Sequence, residues 1–216
     1  MSNNLTVPVT RQNNSDAVDQ SCLDLASLAN VDVINIEADT IVAPSGHCQE
    51  VCVVVRGVTK FLYTGSEGVP ALLTVRVGGT IIGADMVFEG SCQEFLVLAL
   101  TQCAVARISL KQFIRCMEIP AFCLAASRVL AQDVNNALRF LRVRYSGATA
   151  RGRLELLLHH LQADDVGEPR PLLRTPLLHK DLAQLIGVSP EHLSRIITAM
   201  EADGVIRRER GWLVWH

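Results

Sequence analysis

The stretch HKDLAQLIGVSPEHLSRIITAM, His179 to Met200, decides the C-terminal fold. Within it Ala183, Gly187, Leu193 and Ile196 follow one another at intervals of 4, 6 and 3 residues. Two helices that cross closely need a small residue at the crossing, a glycine at the turn and apolar residues on the inner side of the second helix. These four residues meet those needs in that order. Ser189 is a good N-cap and Pro190 a good first helical residue, so the second helix has a defined start. The pattern predicts a helix-turn-helix.

From that start Glu191, Ser194 and Arg195 fall at i, i+3 and i+4, on one outward face of the first turn and a half. A recognition helix meets base edges there. Arginine can hold guanine O6 and N7 with two hydrogen bonds, and glutamate can accept from cytosine N4. A plain exposed helix with an intrahelical Glu-Arg pair is the simpler alternative, but the flanks agree with the first reading. Gly204-Val205-Ile206 runs into RRERGWLVWH, where Arg207, Arg208 and Arg210 surround a hairpin turn at Gly211. A basic hairpin in that place is the wing of a winged helix, and its arginines would grip phosphate rather than read sequence. Lys180, Ser189 and His192 are further candidates for phosphate contact.

Upstream, residues 120 to 145 contain no glycine, and Pro120 stands at a good helix start. One helix of about 25 residues is expected, within a segment 119–146. Leu130, Val134, Ala137 and Leu141 recur at 4, 3 and 4, a seam suited to a second copy of the same helix or to packing on the chain's own domain.

Between Val31 and Ser109 the text changes to short β-branched runs: VDVINI, EVCVVV, VTKFLYT, ALLTVRV, TIIG, EFLVLAL and CAVARISL. Turn signals at Arg56-Gly57, Gly65 to Gly68, Gly78-Gly79 and Glu89 to Ser91 separate them. Such spacing predicts an antiparallel barrel or sandwich rather than βαβ units. The class is therefore α+β: a flexible lead-in over 1–20, a β-barrel module over 21–118, the long helix, and a winged helix over 147–216.

The 216 residues are 49% hydrophobic and 19% charged, enough to fill a core, which excludes wholesale disorder. Net charge is −2, but the two halves differ. Up to Ser127 there are 7 basic and 12 acidic side chains, and from Arg128 there are 13 basic and 10 acidic. An acidic front and a basic back imply modules with different partners. Seven cysteines without a repeating frame argue against a disulfide scaffold. The start, MSNNLTVPVTRQNNSD, has neither a basic nor an apolar signal region, and the longest apolar run, Phe95 to Leu100, is too short for a membrane span. The expectation is a cytoplasmic protein with no membrane partner.

The order of acidic β module, long helix with a heptad seam and winged helix resembles the bacterial CRP/FNR superfamily. The likeness runs from about residue 23 to 216. Its carriers are Glu191-His192-Leu193-Ser194-Arg195, Gly57 in VVVRG, and GGTIIGADMVFEG followed by CAVARISLKQF. The resemblance implies a cyclic-nucleotide-binding-like jelly roll, a homodimer on double-stranded DNA, contact with RNA polymerase, and regulation of transcription rather than catalysis. Glu-x-x-Ser-Arg resembles the FNR branch, whose half-site is TTGAT. The cyclic AMP branch uses an arginine just before the glutamate, a place taken here by Pro190.

The β module departs from the family pattern. Cyclic-nucleotide receptors of the family carry Gly-Glu-Leu for the ribose and Arg-Ser or Arg-Thr for the phosphate. Here the matching positions are Gly83-Ala84-Asp85 and Glu94-Phe95, the candidate effector pocket. No lysine or arginine lies between Val77 and Ala106. A buried phosphate opposite Glu94 would cost several kcal/mol, which argues against cyclic AMP. The effector remains unnamed. A haem or metal gas sensor of the same family is the alternative, with His47, Cys48 and Cys52 as weak ligand candidates. Cys116 and Cys123 flank the start of the long helix as a weak redox pair. Outside the class stands a cupin-like metalloenzyme, but such sites gather several histidines, and His47 is the only one before residue 159.

Overall fold

The computed structural model describes residues 14–46, 49–64, 70–88, 90, 95–145, 147–162, 173–174, 179–209 and 212–215. It opens with helix α1 (Asn14–Leu28), followed by strands β1 (Val33–Ile36), β2 (Ile41–Ala43), β3 (Glu50–Arg56), β4 (Val58–Thr64), β5 (Pro70–Val77) and β6 (Thr80–Ile82). A short helix α2 (Ala84–Phe88) leads to β7 (Phe95–Ala99), β8 (Cys103–Ser109) and helix α3 (Leu110–Cys116).

The strands form two four-stranded antiparallel sheets, in the orders β1-β8-β3-β6 and β2-β7-β4-β5. Both contribute to one inner core, through Cys52, Val54 and Val105 from the first sheet and Val42, Phe61 and Val97 from the second. β3 is buried on both faces because its side chains alternate. Cys52 and Val54 point between the sheets, while Val51, Val53 and Val55 point outward under Leu25 of α1, Phe113 of α3 and Phe122 of the next helix. Phe113 and Phe122 meet edge to face at 5.2 Å. At the β3–β4 turn Gly57 has φ +101°, and a Cβ there would lie 2.6 Å from the Gln102 carbonyl oxygen, so only glycine fits.

The sequence reading has a flexible lead-in up to residue 20, whereas α1 begins at Asn14. Cys22, Leu25, Ala26 and Ala29 are buried at helical spacing, and their apolar stripe covers the first sheet.

The long helix α4 runs from Pro120 to Tyr145, as its freedom from internal glycine and proline predicts. Phe122, Ala125, Ala126 and Val129 pack on the β module, while Phe140 and Val143 enter the core of the C-terminal domain. That domain comprises α5 (Ala150–Gln162), β9 (Leu173–Arg174), α6 (His179–Ile186), α7 (Pro190–Ala202), β10 (Ile206–Glu209) and β11 (Trp212–Trp215). Leu154, Leu157, Leu158, Leu182, Leu193, Ile197 and Met200 form its centre, and Leu72 and Val75 of β5 join the same cluster. Truncating one of these leucines to alanine would cost about 2–5 kcal/mol.

Candidate nucleic-acid interface

α6 and α7 are joined by a turn that the sequence specifies atom by atom. Gly187 has φ +69°; its N–H donates to the Gln184 carbonyl, and the Val188 N–H donates to that of Ala183. This paired closure satisfies the last carbonyls of α6 and needs a left-handed residue at its centre. Arg153 of α5 adds a donor to the Ile186 carbonyl at 2.8 Å, fixing α5 against the turn. Ala183 is buried where the helices cross. Ser189 then caps α7, its side-chain oxygen accepting from the His192 N–H at 3.2 Å, with Pro190 as the first helical residue.

This start orients the outward face. Leu193, Ile196, Ile197 and Met200 point into the core, leaving Glu191, His192, Ser194 and Arg195 exposed. Glu191 is held below the usual carboxylate range by a hydrogen bond from its own backbone N–H, by the Ser189 hydroxyl and by nearby Arg195. Its carboxylate is thus an ionised acceptor at neutral pH, next to a permanently charged arginine.

Arg195 and His192, together with Arg151 of α5, Ile196 and Ala199, line an open groove of about 260 Å³. α7 is capped at its C-terminus by Asp203, and β10 and β11 follow as an antiparallel hairpin that pairs Arg207 with Val214 and Arg208 with Leu213. β9 adds a third strand through Leu173 and Arg174. Arg207 and Lys180 are exposed, while Arg210 and the side chain of Arg208 lie outside the described residues. Among the described phosphate candidates, then, Lys180, Ser189, His192 and Arg207 are at the surface.

Three solved structures have the same fold. The c-di-GMP responsive global regulator CLP of Xanthomonas campestris is 18% identical with a TM-score of 0.62, over 91% of this chain and 99% of that one. A CRP-family transcriptional regulator from Thermus thermophilus is 16% identical with a TM-score of 0.69, over 84% and 90%. FixK2 from Bradyrhizobium japonicum is 15% identical with a TM-score of 0.65, over 86% and 92%. No curated protein sequence matches the chain. Residues 152–215, however, match the family model of the Crp-like helix-turn-helix domain. The C-terminal segment is thus similar to the Crp-like helix-turn-helix domain, and the chain as a whole shares the fold of these three structures.

The candidates of the β module fall in its core, at its surface and outside the described residues. Gly83 is buried with φ +87°, Ala84 is buried at the start of α2, and Asp85 faces solvent. Phe95 is half-buried, 6.4 Å from the rings of both Phe61 and Tyr63, and Glu94 lies outside the described residues. His47 and Cys48 also lie outside them. Cys52 is fully buried, its thiol directed at the Val42 carbonyl with an Arg107 nitrogen 3.8 Å away. Among the described residues no three His, Cys, Asp or Glu side chains gather as a metal site. Burial pushes the Cys103 and Cys116 thiols up, away from the thiolate form a redox switch uses.

A second polar group, not foreseen in the sequence, lies where the β module meets α4. Arg76 of β5 forms an ion pair with Asp133 of α4 and sits 5.1 Å over the Phe61 ring. The Thr80 hydroxyl donates to the Asp133 carboxylate at 3.2 Å. Burial pushes the Asp133 carboxyl up, outweighing the pull of Arg76 and of the Thr80 hydrogen bond. Because Arg76 and Asp133 are 57 residues apart in the chain, no local pattern announces the pair.

The α4 surface also differs in phase from the seam read in the sequence. Leu124, Val134, Leu138, Leu141 and Tyr145 are exposed, at 54, 60, 48, 51 and 74% of their full area, and Ala131 lies exposed among them. Leu130 is partly buried against the core shared with α1 and α3, and Ala137 is half-buried. Val134 and Leu141 belong to both rows.

Proposed function

We propose that the chain is a transcription regulator of the CRP/FNR type, not an enzyme, and that it binds, as a homodimer, a palindrome of TTGAT-like half-sites whose centres lie about one helical turn, roughly 34 Å, apart. The observation that carries the reading is the joint exposure of Glu191, Ser194 and Arg195 on a helix whose start is fixed by Ser189 and Pro190. Arg195 and Glu191 read base edges. Lys180, Ser189, His192, Arg207, Arg208 and Arg210 hold phosphates.

Dimerisation is supported by the exposed α4 row. Residues 124, 131, 134, 138, 141 and 145 fall on the a and d positions of a heptad, and leucine, valine and tyrosine there are left exposed by the other described residues. Ala137 flanks this row, while Leu130 supports α4 from the inner side.

Control comes from the β module, through an effector or a redox signal other than cyclic AMP. The arginines that flank the missing phosphate clamp in sequence are Arg76, whose guanidinium is already engaged by Asp133 and Phe61, and Arg107, which pairs with Glu50 at 3.3 Å. A change at β5 reaches the DNA-binding domain directly, since Leu72 and Val75 share a core with α6 and α7. The proposed setting is the cytoplasm, with RNA polymerase as a partner; no helix among the described residues is long and apolar enough to cross a membrane.

The test is a titration of the purified protein against a labelled TTGAT-N4-ATCAA duplex and a scrambled duplex of equal length, at fixed salt and with or without cell extract. The reading predicts tighter binding to the palindrome and one dimer per duplex. Equal affinity for both duplexes under both conditions overturns it.

A further inference from the structure

Arg151 is the second residue of α5, and its guanidinium is held by two carboxylates. Its Nε donates to Glu155, one turn on, at 3.0 Å, and its Nη1 to Asp203. Asp203 is the C-cap of α7, so the pair joins the start of α5 to the end of the helix carrying the base-reading face. Arg151, Glu155 and Asp203 are all partly solvent-exposed, at 39, 38 and 52%. Arg151 also lines the groove that contains His192 and Arg195.

Two physical points follow. Exposed ion pairs are weak, because water screens them and holding two long side chains costs entropy. A guanidinium also matches a phosphate at least as well as a carboxylate, through two parallel charge-assisted hydrogen bonds. Once α7 lies in a major groove, a wall of phosphates passes alongside the helix. There the Asp203 carboxylate becomes a liability and the Arg151 guanidinium an asset.

We propose that Arg151 is a DNA-phosphate contact that exchanges its partner on binding, leaving Asp203 for a phosphate oxygen. In the free protein Asp203 competes with DNA for that guanidinium and so lowers affinity for all sequences alike. The inference rests on reading α7 as the helix that enters the major groove.

The experiment measures affinity for the palindrome and for a scrambled duplex at several salt concentrations, with the full-length protein and the variants Arg151→Ala, Asp203→Asn and both together. Arg151→Ala should flatten the slope of log K against log salt by about 0.9 on both duplexes, the value for one phosphate contact. It should leave the preference between them unchanged. Asp203→Asn should tighten binding to both by about two- to fivefold, the worth of an exposed pair, and that gain should vanish in the Arg151→Ala background. Asparagine still suits the end of a helix, so α7 keeps its cap. An unchanged slope in Arg151→Ala overturns the contact. An equal gain from Asp203→Asn in both backgrounds overturns the exchange, because it reports only the loss of a negative charge. Weaker binding by Asp203→Asn would mean that the pair merely positions α7, and would overturn the competition. If the wild type shows no preference for the palindrome, the reading of α7 itself fails, whatever the salt slopes are.

Discussion

Leu138 provides the sharpest test of how two copies meet. It lies in the middle of the exposed α4 row and keeps 48% of its area uncovered in the single chain. Fully burying a leucine is worth about 1.5–3 kcal/mol, so covering the remaining half is worth about 1 kcal/mol per copy. In a two-fold interface every residue counts twice, and Leu138→Ala should weaken association by about 2 kcal/mol, or about 30-fold in the dimer constant. Leu130→Ala is the matched control. That side chain packs against the core of the β module and α1, so its loss should lower the melting temperature and leave the dimer constant nearly unchanged. Sedimentation equilibrium over a wide concentration range measures both. An unchanged constant for Leu138→Ala, with a weakened one for Leu130→Ala, would refute the exposed row and restore the phase read from the sequence.

Other perturbations give separate checks. Ser189→Ala removes the cap that accepts from the His192 N–H and should cost about 1 kcal/mol of stability, read by thermal unfolding. Replacing Arg76 and Asp133 together, as Arg76→Met with Asp133→Leu, should leave stability unchanged or raise it by about 1–4 kcal/mol, because burial already outweighs the pair's attraction. The same raised pKa implies a stability contribution from Asp133 that is fully present below the ordinary carboxylate range and lost as pH rises through the raised value; urea unfolding across that window should show it in the wild type and not in the double variant. Glu191 shifts the other way. Its role as an ionised acceptor should persist down to the ordinary carboxylate range and fail only as pH falls through its lowered value, so the affinity difference between wild type and Glu191→Gln should be flat from pH 8 to pH 5.

The helix-turn-helix is legible in the sequence because its determinants are local. Gly187, Ser189 and Pro190 act on backbone groups within a few residues, and the alternation of Leu193, Ile196 and Met200 with Glu191, Ser194 and Arg195 fixes the two faces of one helix. The span of α4 is legible for a similar reason, since nothing inside it breaks a helix. Its facing is not. The rows through Leu130 and through Leu138 share Val134 and Leu141, and only the position of α1 and the first sheet decides which row is covered. α1 was hidden by its polar start, although Cys22, Leu25, Ala26 and Ala29 carry the helical spacing. Arg76–Asp133 and Arg151–Asp203 join residues more than 50 positions apart, and such contacts exist only once the fold has formed.

Arg195 tests the central claim most directly. The wild type and Arg195→Ala would be titrated against the palindrome and against duplexes in which each half-site base pair is changed in turn. The account predicts a loss of about 1–3 kcal/mol for Arg195→Ala on the intact palindrome, with discrimination abolished at one base pair and retained at the others. An equal loss on every duplex, leaving the pattern of discrimination as it is in the wild type, would contradict it.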